Sequence, residues 1–298
     1  MYILTWFDKS TVKHLRLPFS FFLMPVFLFA LSQAKNINWQ SAILAFILLH
    51  LLIFPSSNGY NSFQDRDESS IGGLKYPPKV SIKLFYATLF LDILGIICSL
   101  FVSVYFSMFV LIFVLVSRAY SYRKIRLKKY AVTGFLTVFI FQGAFIYLAA
   151  FSAFTTFSFR DFFTLNNLIC MSIASFFIGS IYPLTQIYQH DSDRKDGVIS
   201  ISYKLGYTGT FVFSSLLFSI ATMFLVYYFN FKNQPIALLL FLLIMLPVVA
   251  KLGIWFFKVR KNSLNANFEN TMAMNILTST CMNFYFILLI LNNLYTWF

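Results

Sequence analysis

The chain has 298 residues, of which 59% are hydrophobic and 11% are charged, and its mean hydropathy is +0.75. A soluble domain of this length could not bury so much apolar surface, so the composition excludes a soluble globular protein and indicates a polytopic membrane protein. The formal net charge is +13, but the basic residues lie in short loops between apolar runs, which argues against a nucleic-acid-binding protein.

Nine apolar runs are long enough to cross a bilayer, whose core of about 30 Å requires roughly 20 residues of helix. The third and fourth runs are nearly continuous, so the turn near Ser103 is the least marked boundary, and eight or ten spans remain compatible with the pattern. We expect one transmembrane domain over residues 1–298. The predicted spans are 18–34, 40–60, 82–102, 104–121, 132–154, 165–188, 208–229, 235–255 and 273–295.

The loops alternate strongly in positive charge. If the N-terminus and the loops after the second, fourth, sixth and eighth spans share one side, that side holds 20 of the 23 Lys and Arg residues. The other side holds Lys35, Arg160 and Lys232. Because basic loops stay in the cytoplasm, we predict an integral protein of the inner (cytoplasmic) membrane, with a cytoplasmic N-terminus and the C-terminus opposite.

The N-terminal segment carries charges before the first apolar run begins, and no small-residue cleavage site follows that run closely. This pattern argues against a removable signal peptide. Residues 1–16 are predicted to form an interfacial helix on the cytoplasmic surface, with Tyr2, Trp6 and Phe7 facing lipid.

Polar residues follow the second apolar run at a regular spacing. If that helix continues past Pro55, then Asn58, Asn61, Asp65 and Glu68, spaced 3, 4 and 3 residues apart, lie on one face. Oxygen ligands on one face suit Mg²⁺, which keeps several waters and shares substrate phosphates. The alternative is that this loop is polar only because it lies near water.

A second acidic loop follows the sixth run. Gln186, Gln189 (or His190) and Asp193 repeat the spacing of the first loop, and Asp191 lies beside them. Two carboxylate clusters in a chain with only ten acidic residues suggest a metal–diphosphate site, because metal ions must bridge carboxylates and a diphosphate. Here too an ordinary polar loop remains the alternative, and for His190 a solvated loop contact is preferred to a metal role.

These loops resemble those of the UbiA superfamily of intramembrane prenyltransferases. The first family motif is Asn-Asp-x-x-Asp-x-x-x-Asp after the second span, and here Asn61 and Asp65 match it. Ser62 and Ser69 stand where the family usually has acids. The neighbouring acids Asp67 and Glu68 are candidates to substitute, and Asn58 to add a ligand.

The later family motifs are present in part. The family has Asp-x-x-x-Asp, then Arg-x-x-Gly and a Leu-Gly pair, but Gln189 replaces the first acid here. The segment from Tyr120 to Lys128 resembles the Tyr-Ser-x-Pro-Pro-x-x-Leu-Lys loop, with Arg123 and Lys124 in place of the prolines. The residues that match the second acidic motif are Asp193, Arg194, Gly197, Leu205 and Gly206.

The resemblance implies an all-α polytopic membrane protein with about nine transmembrane helices around a central cavity open to the cytoplasmic side. It implies Mg²⁺ as cofactor, a prenyl diphosphate as donor, and a hydrophobic acceptor, usually an aromatic ring or a quinone precursor. Asn61, Asp65 and Asp193 are then the catalytic metal ligands, with Asn58, Glu68 and Gln189 as further metal ligands. Lys128, Arg126, Arg123 and Arg194 are the candidate diphosphate-binding residues. The basic cluster at 118–129 has an alternative role as a topology determinant alone.

A buried acid and several tyrosines are further candidates for the cavity. Asp92 lies mid-span, where an acid is costly and by default suspected of function. It is expected either to face the cavity as an acceptor-deprotonating base or to be a neutral acid hydrogen-bonded between helices. The tyrosines expected nearest the cavity, as candidates for cation–π contact, are Tyr60, Tyr120, Tyr122 and Tyr182.

Two other functions compete with prenyl transfer. A UbiA-type terpene cyclase would ionise the same donor but quench the cation within the molecule. A secondary transporter would place its polar groups at the membrane midplane, whereas here they cluster at one face and only Asp92 lies deep. The sequence leaves open the acceptor, the prenyl chain length, the number of metal ions and the oligomeric state.

Overall fold

A computed structural model describes residues 3–66 and 68–295. Within these residues the regular structure is helical, apart from one isolated β-bridge between Ile71 and Leu74. The principal helices are α1 (Lys9–Leu15), α2 (Met24–Gln33), α3 (Trp39–Asp65), α4 (Ile82–Ser99), α5 (Val104–Ser121), α6 (Ala131–Phe154), α7 (Leu165–Thr185), α8 (His190–Lys195), α9 (Ile201–Phe231), α10 (Pro235–Lys261) and α11 (Phe268–Tyr295).

Among the described residues, eight helices are long and apolar enough to cross a membrane. A ninth span results if the segment Lys9–Phe22 and helix α2, which meet at 41°, are counted as one. The predicted all-helical polytopic fold is thus confirmed. The predicted boundary between the third and fourth spans is also found, where the side chain of Ser103 accepts from the Phe106 amide at 3.0 Å and begins α5.

The first predicted span, 18–34, is not one straight helix. Arg16 adopts a left-handed conformation with φ of 50°, and a short 3₁₀ segment over Leu17–Phe22 separates it from α2. Pro18 and Pro25 lie in the first turns of the two helical segments, where the missing N–H group does no harm. A proline inside a continuous helix would remove a hydrogen bond, so the two prolines favour a broken span.

Helix α3 continues past Pro55, as the spacing analysis required. A π-helical segment, Leu48–Ile53, lies immediately before the proline, and the wider turn accommodates the ring that would otherwise clash with the preceding turn. The helix ends at Asp65, where Arg66 takes a left-handed conformation with φ of 54°. The polar end of α3 therefore extends beyond its apolar part toward the loops.

Aromatic rings fill the centre of the bundle. The Phe29 ring of α2 packs 5.3 Å from Tyr147 of α6 and 5.0 Å from Phe286 of α11, measured between centroids. Phe177 of α7 contacts Phe218 of α9 at 5.8 Å. All but the partly buried Phe218 are buried, whereas α10 buries few of its apolar side chains, as expected for a surface that faces lipid.

The N-terminal helix packs on the protein. Asp8 caps α1 by accepting from the Thr11 amide at 2.9 Å, and His14 Nε2 lies 2.7 Å from the carbonyl oxygen of Pro78. The Trp6 ring stacks 5.7 Å from Tyr86 of α4. The predicted contact of Tyr2 with lipid lies outside the described residues, and a membrane-surface role for 1–16 stays a prediction.

Candidate functional site

One cavity of about 260 Å³ lies where the polar loops meet the ends of α3, α5 and α7. Its apolar wall comes from side chains within the bundle, including Phe22, Phe113, Phe141 and Ile178. Its polar wall comes from the end of α3 and from the loops that follow α5 and α7. The cavity therefore offers an apolar half and a charged half to a single ligand.

The end of α3 supplies the first group of polar side chains. Lys128 Nζ donates to Asn61 Oδ1 at 2.8 Å and to the carboxylate of Asp65, while Ser121 Oγ donates to the same Asn61 oxygen at 2.8 Å. Asn58 lies one turn earlier on the same cavity wall. The helical spacing of three and four residues thus brings three predicted ligands to one face.

Arg126 connects the two acidic loops. Its guanidinium donates to Asp65 Oδ1 at 3.3 Å, to the carboxylate of Asp196, and to the Asp196 carbonyl oxygen at 3.0 Å. Burial disfavours the charge of Arg126, but the carboxylates of Asp196 and Asp65 outweigh burial and raise its pKa above the usual value. Arg126 has a left-handed backbone conformation, with φ of 49°, immediately before the 3₁₀ turn Leu127–Lys129.

The loop after α7 supplies the opposite side. Gln186, Gln189 and Asp193 line the cavity, and Gln189 Nε2 donates to the carbonyl oxygen of Ser70 at 3.2 Å, which ties the second loop to the first. The short helix α8 ends when the Val198 amide donates to the Asp193 carbonyl oxygen at 2.8 Å. One cavity is therefore lined both by Asn61 and Asp65, from the first polar segment, and by Asp193, from the second.

Some predicted site residues lie elsewhere. The helical face was expected to include Glu68, but α3 ends three residues earlier and Glu68 is exposed outside the cavity. Asp191 and Arg194 are exposed on α8 and do not line the cavity. Arg123 is half exposed; its guanidinium donates to the Gln64 carbonyl oxygen at 2.7 Å and so caps the end of α3 from outside. Asp67, the other proposed substitute acid, lies outside the described residues.

Two charged residues of the cavity are not among those predicted from the sequence. Asp196 lies three residues after Asp193 in the second acidic loop, so its position in that cluster was the available indication. Arg16 was counted only toward topology, yet it is buried and lines the cavity. It donates to the carbonyl oxygens of Asn58 at 3.0 Å and Gly72 at 3.1 Å, contacts that no local pattern indicates.

The predicted tyrosines divide into two groups. Tyr120 and Tyr182 line the cavity, with 2.6 Å between their hydroxyl oxygens, and Gln186 Nε2 donates to the Tyr182 hydroxyl at 2.8 Å. Tyr60 is buried outside the cavity wall and Tyr122 is exposed. Of the four predicted tyrosines, Tyr120 and Tyr182 are therefore the two that line the cavity.

His190 is not the solvated contact that we expected. Its side chain is buried, Nε2 lies 2.8 Å from Ser202 Oγ, and the ring stacks on Tyr207 with 5.0 Å between centroids. Burial lowers the pKa of His190, and the nearby Asp191 carboxylate offsets this only in part. The residue joins α8 to the start of α9 and does not line the cavity.

Asp92 is buried between helices and does not line the cavity. Arg118 of α5 donates to its carboxylate through Nε at 2.7 Å, and the guanidinium lies 3.9 Å from the centroid of the Tyr60 ring. The acid is bonded between helices, as one interpretation expected, but its partner is a cation. One member of the basic cluster is therefore used in packing, beside the helix that carries Asn61.

Loss of one member of this pair should destabilise the protein. Asp92→Ala leaves the Arg118 charge without its carboxylate, which typically costs about 3–5 kcal/mol at a buried position. The double variant Asp92→Leu/Arg118→Met removes both charges and should recover most of the loss. Thermal unfolding of the purified variants checks this, and equal unfolding temperatures for the single and double variants would contradict it.

The donor atoms at the cavity suit a hard cation. They are carboxylate oxygens of Asp65, Asp193 and Asp196 together with side-chain amides, and Gln186 Oε1 is buried without a hydrogen-bond partner. Within 3–66 and 68–295, no three His, Cys, Asp or Glu side chains group closely enough to hold a metal by themselves. Such a set fits Mg²⁺, which accepts amides, waters and substrate phosphates as its remaining ligands.

Comparison with known proteins gives both a family and a fold. A model of the UbiA prenyltransferase family matches residues 19–278. A solved UbiA homologue from Archaeoglobus fulgidus, bound to DMAPP and Mg²⁺, matches with a TM-score of 0.68 and 16% identity over 95% of this chain and 99% of that chain. The apo UbiA homologue from Aeropyrum pernix K1 matches with a TM-score of 0.66 and 16% identity over 93% and 98% of the two chains.

A further structure, described in connection with digeranylgeranylglyceryl phosphate synthase, matches with a TM-score of 0.61 and 17% identity over 98% of this chain and 99% of that chain. No curated protein matches the chain. At these identities the structural matches show the fold, and the family is shown by the match over residues 19–278.

Proposed function

Because this chain belongs to the UbiA prenyltransferase family, we propose that it is an Mg²⁺-dependent intramembrane enzyme that transfers a prenyl group from a prenyl diphosphate to an aromatic or quinone-precursor acceptor. The observation that carries the proposal is the division of one cavity into an apolar half and a charged half. A prenyl diphosphate has the same division, with an apolar chain and an anionic head. The Archaeoglobus fulgidus homologue, bound to DMAPP and Mg²⁺, supports the same ligands.

The charged half supplies groups for the diphosphate. Asp65 and Asp193 are the proposed central metal ligands, with Asn58, Asn61 and Gln189 beside them. When bound, Mg²⁺ neutralises the diphosphate and stabilises the charge that develops as the allylic C–O bond breaks. Further amide and carboxylate oxygens for the metal shell come from Gln186 and Asp196.

Cationic side chains close the remaining sides of the charged half. Lys128, Arg126 and Arg16 line the cavity, and each is mostly buried, so its charge is poorly screened by water. They are proposed to bind the diphosphate oxygens and to hold the leaving group in place after ionisation. Arg123 and Arg194 lie outside the cavity. We propose that they do not contact the diphosphate and only stabilise the segments to which they belong.

The apolar half is proposed to bind the prenyl chain and exclude water from the allylic cation. Phe22, Phe113 and Phe141 line this half, and the hydroxyl-bonded pair Tyr120 and Tyr182 lies beside it. Aromatic faces stabilise a nearby cation through their quadrupole, and exclusion of water favours capture by the acceptor over hydrolysis. The charge asymmetry of the loops supports an opening toward the cytoplasm.

Mass spectrometry of reaction products tests the proposal. Purified protein would be incubated with Mg²⁺, prenyl diphosphates of several chain lengths, and candidate aromatic acids. We expect release of diphosphate and of one proton, and a product whose mass is that of the acceptor plus the prenyl group minus one hydrogen, because the new bond to the prenyl carbon replaces a bond to hydrogen on the acceptor. An acceptor-independent hydrocarbon or alcohol would instead indicate a cyclase or a hydrolase, and no diphosphate release with any donor would contradict prenyl transfer.

A further inference from the structure

A second cavity, of about 440 Å³, lies at the opposite end of the bundle. The two cavities lie at the two ends of helix α2. Leu23, just before the start of α2, lines the first cavity, and Gln33, at its end, lines the second. The second cavity is formed where α2, α9 and α11 end and α10 begins. No acidic residue lines it, but Lys35 and Lys232 both do.

The two lysines are exceptional in this sequence. Of the 23 Lys and Arg residues, only Lys35, Arg160 and Lys232 lie on this side, and two of these three meet at one cavity. The one acidic residue on the same side, Asp161, bonds to Ser158 in its own turn. Neither lysine forms an ion pair with any described residue, so no carboxylate of residues 3–66 and 68–295 neutralises their charge at the cavity.

One helix N-terminus supplies free backbone donors at the cavity. Helix α10 starts at the cavity with Pro235, and the side chain of Gln234 does not cap it. The amides of Ile236 and Ala237, in the first turn, therefore have no capping side chain and can donate to an anion, whereas the C-terminal ends of α2, α9 and α11 at the same cavity have the opposite polarity, so the positive charge of the site comes from the two lysines. The opposite wall is fixed, since the Tyr228 hydroxyl donates to Gln33 Oε1 at 2.5 Å.

An apolar stripe continues from the cavity along α10. Ile236, Leu239, Leu243 and Leu246 are spaced 3, 4 and 3 residues apart, and each is about half exposed. These side chains face outward on the helix surface that continues from the basic cavity. We propose that this cavity binds a phosphate group, carried by an anionic phospholipid whose acyl chains follow the α10 stripe.

Native mass spectrometry of the full-length protein in detergent tests this site. Phosphatidylglycerol would be titrated onto the wild type, onto Lys35→Gln, Lys232→Gln and the double variant, and onto Arg160→Gln as a matched control. Arg160 is exposed on the same side but lies outside the cavity, so its loss changes the charge equally. We expect roughly tenfold weaker binding to each lysine variant, about 1.4 kcal/mol, and unchanged binding to Arg160→Gln.

Two further probes identify the ligand. Diacylglycerol, which lacks the phosphate, should not bind the cavity. If inorganic phosphate binds and the two lysine variants weaken its binding equally, the cavity recognises the phosphate group itself, whether it is free or part of a lipid. Lys35→Arg and Lys232→Arg should retain binding, which separates charge from folding. Equal losses in the lysine variants and Arg160→Gln, equal binding of diacylglycerol, or no binding of either phosphate probe would overturn the proposal.

Discussion

Replacing Asp65 or Asp193 with asparagine should abolish prenyl transfer while leaving the protein folded. Asp65 ends α3 and Asp193 lies on α8, and the two carboxylates line the same cavity, so each is proposed to hold Mg²⁺ from its own side. Asparagine keeps the size of the side chain and one oxygen, so Lys128 and Arg126 still find an acceptor at position 65. The measurement is kcat at saturating Mg²⁺, together with thermal unfolding of each variant.

The chain provides a matched control for this prediction. Asp191 lies two residues before Asp193 on the same short helix, but it is exposed and outside the cavity, so Asp191→Asn should keep wild-type activity. Excess EDTA should stop the wild-type reaction. Retention of more than about a tenth of wild-type kcat by either cavity variant, equivalent to about 1.4 kcal/mol of barrier, would show that its carboxylate is not an essential ligand.

The sequence could predict the helices because each is a local property of the chain. Each of the patterns used for the prediction extends over a few turns of helix. They are the apolar runs, the cap at Ser103 and the spacing of Asn58, Asn61 and Asp65. The charged half of the cavity could be predicted only as far as these local patterns and the family motifs reach. For this reason the helical spacing holds for Asn58, Asn61 and Asp65, which lie on one face of α3. It does not hold for Glu68, because α3 ends three residues before it.

The remaining parts of the site depend on contacts between distant segments. Arg126 joins Asp65 to Asp196, and Arg16 reaches the carbonyl oxygens of Asn58 and Gly72, which are 42 and 56 residues away in the chain. The spacing of residues along a helix does not indicate contacts between segments so far apart in the chain. Hydropathy likewise does not show the bend between the first span's two segments, because it counts apolar residues without regard to backbone angles.

Lys128→Ala should weaken binding of the prenyl diphosphate or slow its ionisation while leaving the KM for the acceptor nearly unchanged. Lys128 is mostly buried in the cavity wall, where it contacts Asn61 and Asp65, two of the proposed metal ligands. It can therefore reach a diphosphate held between the loops, whereas the acceptor has no need of this charge. A charge-assisted contact contributes about 1.5–3 kcal/mol, so kcat/KM for the donor should fall roughly tenfold or more.

The adjacent residue provides the control for Lys128. Lys129 carries the same charge in the same 3₁₀ turn, but its side chain is exposed and outside the cavity, so Lys129→Ala should leave the kinetics unchanged. Both substitutions remove one positive charge from the same loop, so they affect membrane topology equally. A defect confined to the acceptor, or equal kinetics for the two variants, would show that Lys128 serves only the topology of the loop and does not bind the donor.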